Sequence, residues 1–172
     1  MKPRAIFFDR DGVINEGIPG GYVRSWDEFH FLQDVAETLK AIKDLDYLAI
    51  IITNQRGVGL GLMSEGDLTS IHEQMQKELQ KKCGAKFDDI FFCADANNET
   101  GRRKPSPAML LEAQLKYDID LEKSWIIGDT ASDTEAGRRA GAKTAFLLNQ
   151  YDTPPDDVTI LISSLKEILG YL

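Results

Sequence analysis

The sequence predicts an α/β fold in which helices cover both faces of a central parallel sheet, and three observations predict it. Short apolar runs without helical spacing recur at Ala5-Ile6-Phe7-Phe8, Leu48-Ala49-Ile50-Ile51-Ile52 and Trp125-Ile126-Ile127, the pattern of strands buried on both faces. Amphipathic stretches lie between them, so strands and helices alternate along the chain. Unusual polar residues collect directly after the strands, where open parallel sheets hold ligands.

Taken in order, Ala5 to Phe8 is the first strand and runs into Asp9-Arg10-Asp11-Gly12-Val13-Ile14-Asn15. Two carboxylates one residue apart repel. At an effective dielectric near 20, like charges about 4 Å apart cost roughly 4 kcal/mol, which a bound divalent cation relieves. Gly12 permits a sharp turn with the backbone close to a ligand. Glu16 to Phe29 mixes Gly17, Pro19, Gly20 and Gly21 with Tyr22, Trp26 and Phe29, and reads as an irregular loop or small hairpin. Asp34 to Leu45 carries a helical stripe of Val35, Leu39, Ile42 and Leu45. The second strand, Leu48 to Ile52, ends in Thr53-Asn54-Gln55. Gly57, Gly59 and Gly61 fit neither nucleotide-loop spacing and read as turn and hinge glycines.

Ser64 and Asp67 cap a long helix striped by Leu68, Ile71, Met75 and Leu79. Asp88 to Cys93 is a short third strand and Asn97 to Arg103 a polar loop. Lys104-Pro105-Ser106-Pro107 leads into a helix from Ala108 to Tyr117, with Pro107 suited to its first turn. The fourth strand, Trp125 to Ile127, runs into Gly128-Asp129-Thr130-Ala131-Ser132-Asp133, and the helix that follows stops near Gly141. Thr144 to Leu148 is the fifth strand, Pro154-Pro155 breaks the chain, and Thr159 to Ile162 with a capped C-terminal helix closes it.

Length and composition narrow the possibilities. With 172 residues, a single domain over 1–172 with one site is the economical expectation. A net charge of −8 and scattered Lys and Arg disfavour nucleic acid, while a small phosphorylated metabolite remains open as a partner. Cys83 and Cys93 are the only cysteines, and His30 and His72 stand at no ligand spacing, so neither a disulfide framework nor a closed zinc site is expected. Both histidines read as surface or packing residues. The start of the chain lacks an apolar signal core and no run approaches 18 apolar residues, so neither secretion nor a membrane is expected and a cytoplasmic location is. No exposed apolar heptad compels a dimer, and a monomer is expected.

Four groups then stand at strand ends or helix starts: Asp9 with Asp11, Thr53 with Asn54, Arg103 with Lys104, and Asp129 with Asp133. Each alone is weak: a strand-end acid or a surface lysine is usually solvated and idle. Together they are the parts for phosphoryl transfer. The DxD, Thr, Lys and GDxxxD set, in this order, resembles the haloacid dehalogenase superfamily of aspartate-nucleophile phosphatases, whose fold is a Rossmann-like three-layer sandwich. Asp9-Arg10-Asp11-Gly12-Val13-Ile14-Asn15, Thr53-Asn54-Gln55 and Arg103-Lys104-Pro105-Ser106-Pro107 are similar to the branch that contains heptose 1,7-bisphosphate and histidinol-phosphate phosphatases. That branch usually carries a loop of three Cys and one His holding zinc. Here the matching stretch, Cys93 to Arg102, keeps one candidate ligand, so no structural zinc is expected.

The resemblance implies the following roles. Asp9 is the nucleophile that becomes an aspartyl-phosphate, and Asp11 the acid/base. Mg²⁺ is bound by Asp9, Asp129 and the Asp11 backbone carbonyl. Thr53 donates to the transferring phosphoryl group and Lys104 neutralises it. Asn54, Gln55 and Arg103 contact substrate, and Asp133 orients Lys104 or a metal-bound water. The expected activity is Mg²⁺-dependent hydrolysis of a phosphorylated sugar, D-glycero-D-manno-heptose 1,7-bisphosphate first and histidinol phosphate second. A phosphoryl-accepting signalling module is the alternative from a different class.

Overall fold

The structure is a computed structural model that describes residues 2–172. Six strands, β1 (Arg4–Phe8), β2 (Tyr47–Asn54), β3 (Asp89–Cys93), β4 (Trp125–Gly128), β5 (Lys143–Leu147) and β6 (Ile160–Ile162), form one parallel sheet in the order β3-β2-β1-β4-β5-β6. The chain first builds outward from β1 to β3, then returns to the other side of β1 with β4. The β1/β4 junction is therefore the switch point at which such sheets open a crevice.

Period-two alternation divides the core into two layers. Ile6, Phe8, Ala49, Ile51, Trp125 and Ile127 face one side, while Ala5, Phe7, Ile50, Ile52 and Ile126 face the other. On the first side pack α1 (Val35–Asp44), through Val35, Leu39 and Ile42, and α3 (Glu65–Cys83), through Leu68, Ile71, Met75 and Leu79. On the second pack α4 (Ala108–Tyr117), through Met109, Leu110 and Ala113, and α5 (Ala131–Ala140), through Ala136. This is the expected three-layer sandwich. No inserted domain covers the sheet's C-terminal edge among the described residues.

Local chemistry explains most element ends. Ser64 and Asp67 form a reciprocal capping box at the start of α3, the Asp67 amide donating to Ser64 Oγ at 3.0 Å and the Ser64 amide to Asp67 Oδ2 at 2.8 Å. Three expectations are corrected. Gly57 and Gly59, read as turn and hinge glycines, lie in a short helix α2 (Arg56–Gly59), where the Leu60 amide reaches back to Arg56 O. Pro107 stands at the cap of α4, one residue before its first turn. The C-terminal segment Leu165–Tyr171 is a 3₁₀ helix without a side-chain cap from Ser164; Ser164 Oγ instead donates to Glu167.

This packing ranks two substitutions. Leu39→Ala opens a cavity in the first layer, where Leu39 is 1 % exposed, and should lower the unfolding free energy by about 2–5 kcal/mol. Ser64→Ala removes an exposed cap and should cost about 1 kcal/mol. Urea unfolding of both variants measures the order, and equal losses contradict it.

Candidate active site

The mouths of β1, β2 and β4 stand side by side because Phe8 is in register with Ile51 on one neighbour and Ile127 on the other. Lys104, carried by the loop ahead of α4, reaches into this junction and is 3 % exposed. Its ammonium lies 2.8 Å from Asp9 Oδ1 and 2.6 Å from Asp133 Oδ1, and donates to Ile52 O at 2.8 Å. All three protons are thereby placed. Asp9, Asp129 and Asp133 bring carboxylate oxygens within 4.8 Å of one another. Asp133 is fixed by the start of α5, accepting from the Thr130 amide at 3.0 Å, Thr130 Oγ1 at 2.8 Å and the Asp129 amide at 3.2 Å. Asp129 Oδ1 is buried and has no hydrogen-bond partner.

Three carboxylates against one ammonium leave unbalanced negative charge. Burial, reinforced by the charge of Asp133 and opposed by Lys104, pushes Asp9 up to about 7. Burial also raises Asp129, with Asp9 and Asp133 adding to it, to about 8. Burial alone would lower Lys104, but Asp133 and Asp9 outweigh it and raise its pKa. A hard divalent cation fits this donor set, since it prefers carboxylate oxygens and would engage the orphaned Asp129 Oδ1. Gly12, at φ 88°, backs onto that carboxylate so closely that a Cβ would overlap it.

Asp11 has partners of its own. Its carboxylate accepts two bonds from Arg10 Nη2, at 2.8 and 3.0 Å, one from Asn15 Nδ2 at 2.9 Å and one from Gln55 Nε2 at 2.9 Å. Burial alone would raise its pKa, but Arg10 and the two amides hold it below the usual carboxylate range. Gln55 Nε2 also donates to Thr53 Oγ1 at 3.0 Å, and Thr53 is closed from solvent. Asn54 clasps the Lys104 backbone, accepting its N–H at 3.0 Å and donating to its carbonyl at 3.3 Å. The amides of Asn54 and Gln55, expected on substrate, are thus spent on Lys104 and on Asp11 with Thr53. Arg103 leaves guanidinium Nη1 without a partner, whereas Arg102 is committed to Glu112 at 2.8 Å and to Phe92 O at 2.9 Å.

Sequence reading gave no role to Arg10, Asn15 or His72. His72 is 8 % exposed and meets Arg10 Nη1 through Nε2 at 3.2 Å, so it is neither a surface nor a plain packing residue. One signal was present: two residues beyond Phe8, whose side chain faces the layer of α1 and α3, strand alternation carries Arg10 to the same side. Beside the acids lies a cleft of about 660 Å³ lined by Glu16, Ile18, Pro19, Leu32, Asp129, Asn149 and Tyr151 among others. In the loop above it Trp26 stacks on Phe29 at 4.9 Å, and the Tyr22 ring lies against Gly57.

A family model described as HAD-hydrolase-like matches residues 101–163. The D-glycero-beta-D-manno-heptose-1,7-bisphosphate 7-phosphatase of Helicobacter pylori is 38% identical over 98% of this chain and 97% of its own. The chain belongs to the haloacid dehalogenase superfamily of phosphatases. A second member, the D-glycero-alpha-D-manno-heptose-1,7-bisphosphate 7-phosphatase of Burkholderia mallei, is 41% identical over 88% of this chain and 83% of its own. Among solved phosphatases of the superfamily, the D,D-heptose 1,7-bisphosphate phosphatase of B. bronchiseptica, complexed with magnesium and phosphate, superposes with a TM-score of 0.89. It is 26% identical and covers 98% of this chain and 97% of its own.

The raised carboxylates fix the sign of a pH effect. Acids whose folded pKa exceeds the unfolded value hold more protons when folded, so their contribution falls as pH rises from about 4 through about 7 to 8. A cation binds their deprotonated forms. The Tm increase caused by Mg²⁺ should therefore be larger at pH 8 than at pH 6 in thermal melts of the metal-stripped protein, and a pH-independent increase contradicts it.

Proposed function

We propose that this phosphatase removes the 7-phosphate of D-glycero-D-manno-heptose 1,7-bisphosphate through an aspartyl-phosphate on Asp9, with Mg²⁺ as cofactor. The observation that carries the reading is the Asp9–Lys104–Asp133 cluster beside the unpartnered Asp129 oxygen at the sheet's switch point. The substrate is inferred from relatives of that name, which match nearly the whole chain. Asp9, Asp129 and the Asp11 carbonyl would hold the ion, which when bound supplies positive charge that offsets the acids and aligns a phosphate oxygen.

Asp9 attacks phosphorus in line, a bond forms from its carboxylate oxygen, and the ester P–O bond breaks. The leaving alkoxide takes its proton from Asp11. Water then attacks the phosphorus of the acyl-phosphate and gives its proton to Asp11, which releases inorganic phosphate and restores both aspartates. The donors around Asp11 suit the second step, because they keep a carboxylate ready to receive that proton. Lys104 offsets the charge on Asp9 and the transferring group, Asp133 fixes Lys104, and Thr53, enclosed at the end of β2, anchors Gln55 beside Asp11. In this reading Asn54 and Gln55 set the positions of Lys104 and Asp11, and the partly exposed Arg103 next to Lys104 takes the substrate's polar groups.

Phosphate-release assays over both heptose bisphosphate anomers, histidinol phosphate and nucleotides test this. The heptose should be turned over fastest, activity should be lost on metal removal, and Asp9→Asn should hydrolyse nothing. A persistent acyl-phosphate without phosphate release would mark the signalling alternative instead.

A further inference from the structure

Arg10 is fully buried, yet the reaction above gives it no part. Its neighbours in sequence, Asp9 and Asp11, stand just beyond the end of β1, while its own side chain runs back into the layer that contains α3. There its guanidinium lies 6.0 Å from the Phe29 ring, donates twice to Asp11 through Nη2, and meets His72 Nε2 at 3.2 Å through Nη1. Its Nε is buried without any partner. Taking a guanidinium out of water and leaving one N–H unsatisfied is destabilising, and an apolar residue of similar size often serves stability as well or better. What the charge secures is the direction of one carboxylate.

His72 completes the arrangement from α3. Burial, with Arg10 adding to it, pushes its pKa down to about 3, so the ring is neutral and its Nε2 is free to accept from Arg10. The Arg10 carbonyl, at the other end of the same residue, accepts from the amides of Val13, Ile14 and Asn15 at 3.2, 2.7 and 3.2 Å. Arg10 therefore ties the turn after β1 at its backbone and Asp11 at its tip, with α3 bracing the tip.

We propose that Arg10, braced by His72, is a positioning residue for the phosphatase reaction: it fixes the Asp11 carboxylate in register with the phosphoryl group carried by Asp9. The inference rests on the acid/base role given to Asp11 above. Residues that orient a catalytic group through a hydrogen bond commonly change activity about 10- to 100-fold when lost. Loss of aim should act on the proton given to the leaving group, and so should depend on how much the leaving group needs it.

The test compares kcat/KM, which reports only the steps through aspartyl-phosphate formation, on two esters. Heptose 1,7-bisphosphate releases a basic alkoxide, whereas p-nitrophenyl phosphate releases an anion that departs unprotonated. His72→Leu keeps an apolar side chain in the layer and should melt close to wild type. It should lose about tenfold or more on the heptose ester and much less on the nitrophenyl ester. Arg10→Met should show the same asymmetry more strongly. His72→Gln, whose amide oxygen accepts the same bond, should return most of the lost rate. Wild-type values on both esters in His72→Leu and Arg10→Met overturn the proposal, and so does an equal loss on the two. Asp9→Asn in the same assay tests the underlying reaction separately, because it should be inactive on both esters whatever Arg10 does.

Discussion

The structure depends on keeping three carboxylates and one ammonium together out of water. Like charges at about 4 Å cost several kcal/mol even at a moderate effective dielectric, so Asp9, Asp129 and Asp133 stay close only because other groups hold them. Lys104 binds Asp9 and Asp133 directly, and Thr130 with the Asp129 amide fixes the first-turn carboxylate of Asp133 at the start of α5. These residues come from β1, from the loop before α4 and from the end of β4, distant in sequence. A parallel sheet whose order of strand addition reverses at β1 and β4 is what lets all of them arrive at one edge.

Much of this was legible in the chain. Runs such as Ile50-Ile51-Ile52 are too apolar on both parities to be anything but a doubly covered strand, and Ser64 with Asp67 announced the start of α3 by spacing alone. The acids, the threonine and the lysine were visible because they occur together and in order, although each alone would pass as a solvated group. Less legible was the direction in which the neighbours point. Asn54 and Gln55 follow Thr53 directly, yet one clasps the Lys104 backbone and the other bridges Asp11 and Thr53, a division that depends on how closely two loops approach in space. Arg10 and His72 are separated by 62 residues, and no local pattern relates a strand-end arginine to a histidine in the second turn of a later helix. The C-terminal helix was expected to be capped, but Ser164 turns its hydroxyl to Glu167 and the segment is held by its buried Leu165 and Ile168.

The site is also asymmetric in what its two acids of the first motif experience. Asp9 faces other carboxylates and one shared ammonium, whereas Asp11 faces an arginine of its own and two amides. Side chains two residues apart in one strand end are thereby given opposite electrostatic settings.

Gly12 carries a consequence for how such a protein can diversify. Because a Cβ at Gly12 would overlap the Asp129 carboxylate, no side chain can be added at that point of the site's floor without displacing an acid of the cluster. New preferences must then arise at the rim, in the segments around Ile18 and Tyr151 that wall the adjoining cleft, while the floor stays as it is. Descendants of this chain can trade one leaving group for another without relearning how to break the bond.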